Sequence, residues 1–414
     1  MKKIIKKIKK YLPVFLVEFI YFVYEKTHQL RSKNILKKED VNFILKKPII
    51  NNNKKRVLFY HKDGLSFGGT EKFLQIIAKY LPKDKFEVFF MAHWDAEKET
   101  RFNYLKNEEI NFINFSFSSI DNKFPYFIHN QTPNIFSVIR DNNIDLIITA
   151  SAGYAEYPLN IIQNIPIVLI GVFGYATVQK NVKLQVYISE EVGKMVSGIT
   201  NKNSCLMPIL SEDPSSNYKS DGLNLRSNLG ISDNHIVFGR IGRDNDGIFD
   251  AIGINAFKML LKDFNNVSYL IMSPPPILRE IVKTENIKNV YFLNPSSNEK
   301  DIWSFHNAID VLAHFRKDGE SQGLNIVESM LCSKPIITHK SDIWNAHLEY
   351  LDKSFSRVAD KDNINQYYEF MKEMVLKDKE DLRSLGQEAR KKAEKIFLIK
   401  NRLPEIISWL DNIV

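Results

Sequence analysis

The sequence predicts an α/β chain of two Rossmann-like, doubly wound domains preceded by a basic amphipathic helix. Short apolar runs alternate with longer amphipathic stretches from Lys54 onward, and the alternation restarts after a turn-rich tract near residue 211. Strands alternating with helices imply parallel pairing, because a parallel neighbour is reached only through a crossover. With 414 residues, 44% of them hydrophobic, the chain can fill two such cores.

The N-terminal helix is read from MKKIIKKIKKYLPVFLVEFIYFVYEK. Residues 1–55 hold 15 of the 57 basic and 4 of the 49 acidic residues, which leaves 42 basic and 45 acidic, net −3, for the remainder. The basicity therefore belongs to one segment and not to a nucleic-acid-binding surface on the globular part. The apolar run Tyr11–Tyr24 is too short to span a bilayer and is broken by Glu18. No small-residue cleavage site follows it, as a secretory signal would require. Ile4, Ile5, Ile8, Leu12, Phe15 and Phe19 recur at helical spacing opposite the lysines. That pattern suits a helix lying on an anionic membrane surface through residues 1–26, on the cytoplasmic side; the alternative is a helix packed on the protein itself. Only Cys205 and Cys332 occur, without metal-ligand spacing, which fits a reducing compartment.

In the first domain RVLFY, FEVFFMA, IDLIITA, IPIVLIGV and LQVYIS read as buried strands, with a helix at TEKFLQIIAKYL. SEDPSSNYKSDG reads as a linker. HIVFGRIG, VSYLIMS, NVYFLN, DVLAHF and KPIITH supply the second set of strands, with a helix from about Ile248 to Leu261. The expected divisions are 1–53 for the basic segment, 54–205 and 206–394 for the two α/β domains, and 395–414 for a C-terminal helix, where Pro404 should kink or break an otherwise helical tail.

Four stretches carry candidate chemistry. GLSFGGTEKF places Gly68 and Gly69 at a strand-to-helix turn, where backbone can approach an anionic ligand, or make an ordinary tight turn. GRIGR ends a strand at Arg240 with Arg243 three residues later; both guanidinium groups suit a diphosphate, or are surface charges. Asp244, Asn245 and Asp246 form a DxD-like triplet more consistent with turn chemistry than with a metal, and no metal or cofactor is expected. In GESQGLNIVESM, Gly323, Leu324 and Asn325 open a helix and should offer unpaired N–H groups to a phosphate. Glu320 lies in the loop before that helix and Glu328 one and a half turns inside it. A carboxylate beside a diphosphate is repelled, so both suit ligand hydroxyls; otherwise Glu320 is a solvated loop residue and Glu328 an exposed helix residue.

The E-x7-E spacing of Glu320 and Glu328 within HFRKDGESQGLNIVESMLCSKPII, together with VFGRIGR and GGTEKFLQIIAKYL, resembles the retaining GT-B glycosyltransferases of family 4 across roughly residues 55–395. The resemblance implies two domains facing a cleft and a last helix returning to the first domain. It implies metal-independent transfer of a sugar from a nucleotide-diphosphate sugar to a hydroxyl of a glycan or lipid-linked acceptor, in surface polysaccharide or glycoconjugate synthesis. Glu328 would bind the ribose, Glu320 the transferred sugar, and Arg240 the diphosphate, with Gly69 approaching from the first domain. Acceptor contacts would come from loops such as SAGYAEYP, through Tyr154 or Glu156. Two departures stand out: Asn245 and Asp246 occupy the place of the family's lysine, and no histidine occurs in IPIVLIGVFGYAT. These departures keep open a nucleotide-sugar-binding protein with weak catalysis at the membrane. A GT-B epimerase or phosphorylase is the third reading.

Overall fold

The structure, a computed structural model, describes residues 54–62, 65, 68–94, 101–121, 128–196, 203–214 and 218–413, together with Val23. Apart from Val23, the expected membrane-facing helix of residues 1–26 lies outside the described residues. The chain divides into two units, one running to Pro208 and resuming at Leu403, the other Ile209–Arg402.

In the first unit β1 (Lys55–His61) is followed by α1 (Gly69–Tyr80), β2 (Phe86–Ala92) and β3 (Ile110–Asn114). A two-stranded antiparallel ribbon, β4 (Ser116–Asp121) with β5 (Ile128–Thr132), precedes β6 (Leu146–Ser151), β7 (Ile167–Gly171), β8 (Val182–Tyr187) and β9 (Ser204–Leu206). The main sheet has the order β3-β2-β1-β6-β7-β8-β9, with every pair parallel. Its central strands β1, β2, β6 and β7 are apolar nearly throughout because both their faces are covered; Val57, Leu58, Phe59, Ile147 and Leu169 are fully buried.

The second unit opens with α2 (Tyr218–Asn228) and β10 (Ile236–Ile241), then α3 (Ile252–Asp263), β11 (Val267–Met272) and β12 (Val290–Leu293). It continues through α4 (Glu299–Ala308), β13 (Val311–Ala313), β14 (Gly319–Glu320), α5 (Leu324–Leu331), β15 (Ile336–His339), β16 (Trp344–Asn345), β17 (Ser356–Ala359) and α6 (Lys379–Phe397). The parallel sheet runs β12-β11-β10-β13-β15-β17. Both sheets therefore start in their middle and wind outward in two directions. They share one device at that point. Asp145, just before β6, accepts from the Arg56 N–H at 2.8 Å, and Asp310, just before β13, accepts from the Val237 N–H at 2.8 Å, so each carboxylate closes the start of the first strand of its sheet.

Three expectations need correction. The tract read as a linker is already helical from Tyr218, because Gly222 fits against the backbone of Asn307 and Ala308 and Arg226 pairs with Asp310 at 2.8 Å. Tertiary contacts there override a sequence rich in turn formers. The helix expected from about Ile248 begins at Ile252, behind a short turn at Asp246–Ile248. The tail does not break at Pro404, which lies inside α7 (Ile399–Ile413). The helix breaks at Leu398, which is drawn into an extended bridge: the Ser211 N–H donates to Phe397 O at 2.8 Å and the Ile399 N–H to Ser211 O at 3.0 Å.

Candidate functional site

Ligands of doubly wound sheets bind beyond the carboxyl ends of the strands, where the strand order reverses. In the second unit that place lies between β10 and β13. Arg240, near the end of β10, is 1% exposed. Its Cζ lies 5.2 Å from the Phe315 ring centroid, and its Nη1 donates to Ser273 O at 3.4 Å. Its Nε is buried without a partner, and among the described residues no carboxylate pairs with it. Burial pushes its pKa down to about 10, against the pull of Tyr269 and Glu320, so it remains a cation at neutral pH. A buried guanidinium with five donors and one long hydrogen bond carries a desolvation cost of several kcal/mol that an oxyanion would offset.

Beyond the end of β13, His314, Arg316 and Glu320 converge. The segment read as a loop is pinned here, since Gly319–Glu320 pairs in parallel with Trp344–Asn345. Glu320 is therefore not a solvated loop residue; its side chain is 12% exposed. Oε1 lies 3.3 Å from His314 Nε2, and Oε2 accepts from Arg316 Nη1 at 3.3 Å. Arg316 is itself clamped by Asp318 at 2.6 and 3.1 Å. Burial works to raise the Glu320 pKa, but the His314 contact and the Arg316 charge outweigh it and hold the carboxyl at about 2. Glu320 is thus held as an ionised hydrogen-bond acceptor.

α5 begins at Gly323, whose φ of +87° is a left-handed conformation that strains any side chain, with Ile326 and Glu320 packed close to where a Cβ would stand. Tyr350 Oη donates to Gln322 O at 2.6 Å and so fixes the turn. The N–H groups of Leu324 and Asn325 lie in the first helical turn, where no intrahelical acceptor exists. Asn325 Nδ2 donates to Ile241 O at 2.9 Å, which ties this helix end to the residue after Arg240. Glu328 is buried, so its reading as an exposed helix residue fails; its Oε2 lies 3.4 Å from His306 Nε2, and His306 Nδ1 lies 2.8 Å from Ser329 Oγ.

Other sequence candidates fall elsewhere. Arg243 is exposed. Asn245 serves the local turn, accepting from the Gly247 N–H at 2.8 Å, and Asp246 accepts from the Ile277 N–H at 3.0 Å in the first turn of the helix Pro276–Thr284. In the first unit Gly68 caps α1, with the Glu71 carboxylate folded over it, and Gly69 is the first helical residue. Tyr154 is buried edge-on to Tyr175, at 5.9 Å between centroids, and Glu156 pairs with Lys62.

Sequence reading missed three buried histidines, His314, His339 and His347, which come from three separate segments. Burial, the largest cause, pushes His347 down to about 4. Its folded pKa lies below the ordinary histidine value, so the unfolded chain binds the extra proton between about pH 6.5 and 4 and stability is lost as pH falls through that window. We expect acidification from pH 6.5 to 5 to cost on the order of 2 kcal/mol from this group, and His347→Gln to flatten that slope in calorimetric melts. A melting temperature independent of pH over this range in the wild type would refute it.

Residues 251–392 match the family model described as Glycosyl transferases group 1. No curated protein matches the sequence. Among solved structures, a glycosyltransferase from Rickettsia africae is similar with a TM-score of 0.69 and 15% identity, over 87% of this chain and 99% of that one. Anabaena Alr3699/HepE in complex with UDP and glucose gives 0.66 and 17%, over 86% and 99%. WaaG, a glycosyltransferase involved in lipopolysaccharide biosynthesis, gives 0.57 and 14%, over 85% and 98%. Two wholly parallel Rossmann-like sheets and the solved structures they resemble give the chain the GT-B fold, and residues 251–392 of its second unit match the group 1 glycosyltransferase model.

Proposed function

We propose that this protein is a retaining, metal-independent glycosyltransferase of the family 4 type, moving a sugar from a nucleotide-diphosphate sugar to a hydroxyl of a glycan or lipid-linked acceptor. The observation that carries the reading is Arg240, a buried cation with no carboxylate bonded to it among the described residues, joined through Ile241 and Asn325 to a helix amino end. Complexes of Anabaena Alr3699/HepE with UDP and with UDP-glucose support a nucleotide-sugar donor. Arg240 and the first-turn N–H groups of α5 take the diphosphate, and stabilise the charge that develops as the glycosidic bond breaks. Glu328 takes the ribose and Glu320 a hydroxyl of the sugar; Arg243 adds a donor contact. The sugar's anomeric carbon leaves the diphosphate oxygen and bonds to the acceptor oxygen, whose proton passes to the departing phosphate.

Purified protein with a panel of nucleotide-sugars and a chelator should hydrolyse or transfer one of them, with the anomeric configuration retained by NMR. No turnover with any donor would sink the proposal. Tight binding without turnover would favour a nucleotide-sugar-binding protein, a reading supported by the exposure of Arg243 and the engagement of Asp246 with the Ile277 N–H at a helix start. Glu320→Gln should lower kcat by about 10- to 100-fold with the affinity for bare nucleotide kept; an unchanged kcat removes its role.

The same proposal places the enzyme on an anionic membrane face through residues 1–26, in surface glycan or glycoconjugate synthesis. Deleting those residues should release the protein from phosphatidylserine liposomes, and raised salt should weaken binding of the full chain. Equal co-sedimentation of both forms would refute attachment.

A further inference from the structure

We propose that His314 is a positioning residue that ties the amino end of α5 to the carboxylate of Glu320, a proposal that rests on the glycosyltransferase reading above. Asn325 Oδ1 accepts from the Ile326 N–H at 3.0 Å and its Nδ2 donates to Ile241 O at 2.9 Å, so its orientation is fixed. The same Nδ2 faces His314 Nδ1 at 3.3 Å. Nδ1 is therefore an acceptor, and the ring proton sits on Nε2. Nε2 is buried, and the acceptor in front of it is Glu320 Oε1 at 3.3 Å, a long contact that a small rotation closes.

The second oxygen of Glu320 is held by Arg316, so two points fix both the place and the rotation of the carboxylate. Four charged or titratable groups face the ring: Arg240 from β10, Glu320 from β14, His339 from β15 and His347 from the turn Ala346–Glu349. Tyr367 Oη donates to the backbone oxygen of His314 at 3.1 Å and steadies the segment. Burial leads in keeping the imidazole neutral, Glu320 opposes it, and Arg240 and His339 reinforce it. Neutrality is what the relay needs, because only a neutral ring can accept at one nitrogen while donating at the other. An anion seated on α5 thus acts through Asn325 and His314 on the group that reads the sugar.

The test uses the full chain as wild type, His314→Leu and His314→Gln, the last restoring a donor near the position of Nε2. Each is titrated with UDP, GDP and ADP and with their glucose or mannose conjugates. For the base that binds, His314→Leu should cut the affinity gained from the sugar, relative to bare nucleotide, by about tenfold. Bare-nucleotide affinity should stay within about twofold, and His314→Gln should recover most of the loss. In ligand-free protein, the 13C carboxyl signal of Glu320, assigned by its absence in Glu320→Gln, should stay ionised through the acid range in wild type. In His314→Leu it should titrate at ordinary carboxylate pH. Equal loss for nucleotide and nucleotide-sugar, no rescue by glutamine, or an unmoved Glu320 titration would overturn the proposal. Wild type that binds none of the probes sinks the glycosyltransferase reading instead, and the carboxyl titration then decides the His314–Glu320 link alone.

Discussion

Arg240→Met is expected to lower kcat/KM for the donor by on the order of 10²- to 10³-fold while the melting temperature holds or rises. The two effects separate because the guanidinium is buried with one long hydrogen bond and no carboxylate, so it contributes little to folding and is costly to desolvate. Methionine fills a similar volume against Phe315 and removes that cost. The groups it would serve in the transition state remain, but the charge they share does not. Kinetics with the donor and scanning calorimetry on the same preparation read both effects. A melting temperature several degrees lower with donor kinetics unchanged would make Arg240 a structural residue and remove the basis of the diphosphate site.

The strands were legible because parallel sheets covered on both faces leave a simple record: continuous apolar runs such as FEVFFMA, which is β2 in full. GLNIVESML was legible as a helix start because glycine before an apolar periodic run marks one, and Gly323 proves to be the left-handed cap. Elements defined by long-range partners were not. YKSDG looks like turn chemistry until Asn307, Ala308 and Asp310 are beside it. The pairing of Gly319–Glu320 with Trp344–Asn345 joins residues about two dozen positions apart, with no run of apolar residues to announce it. His314, His339 and His347 each stand alone in sequence, and only the winding of the sheet brings them together. The one available signal was that DVLAHF and KPIITH carry a histidine just past or at a strand's carboxyl end, next to the reversal of strand order.

Gly319→Ala tests whether that short bridge is what holds Glu320. Gly319 has φ +67°, and a Cβ there would overlap the Trp344 carbonyl oxygen and Ser341 Oγ. Neither can yield freely: Ser341 Oγ donates to Trp344 O at 2.8 Å, and the Trp344 N–H donates to Asp318 O at 3.1 Å. Left-handed strain alone costs about 1 kcal/mol, and the overlap should bring the loss to roughly 2–4 kcal/mol, or roughly 5–10 °C in melting temperature. Because Glu320 is the next residue and Asp318, which clamps Arg316, the previous one, a displacement of about 1 Å should also reduce turnover by on the order of 100-fold. Gly230→Ala is the control: its φ is +68°, yet nothing lies within 4 Å of its Cβ position. It should show the strain cost alone, about 1 kcal/mol, and wild-type turnover. If Gly319→Ala melts and turns over like Gly230→Ala, the bridge does not position Glu320, and the grip of His314 and Arg316 must suffice without it.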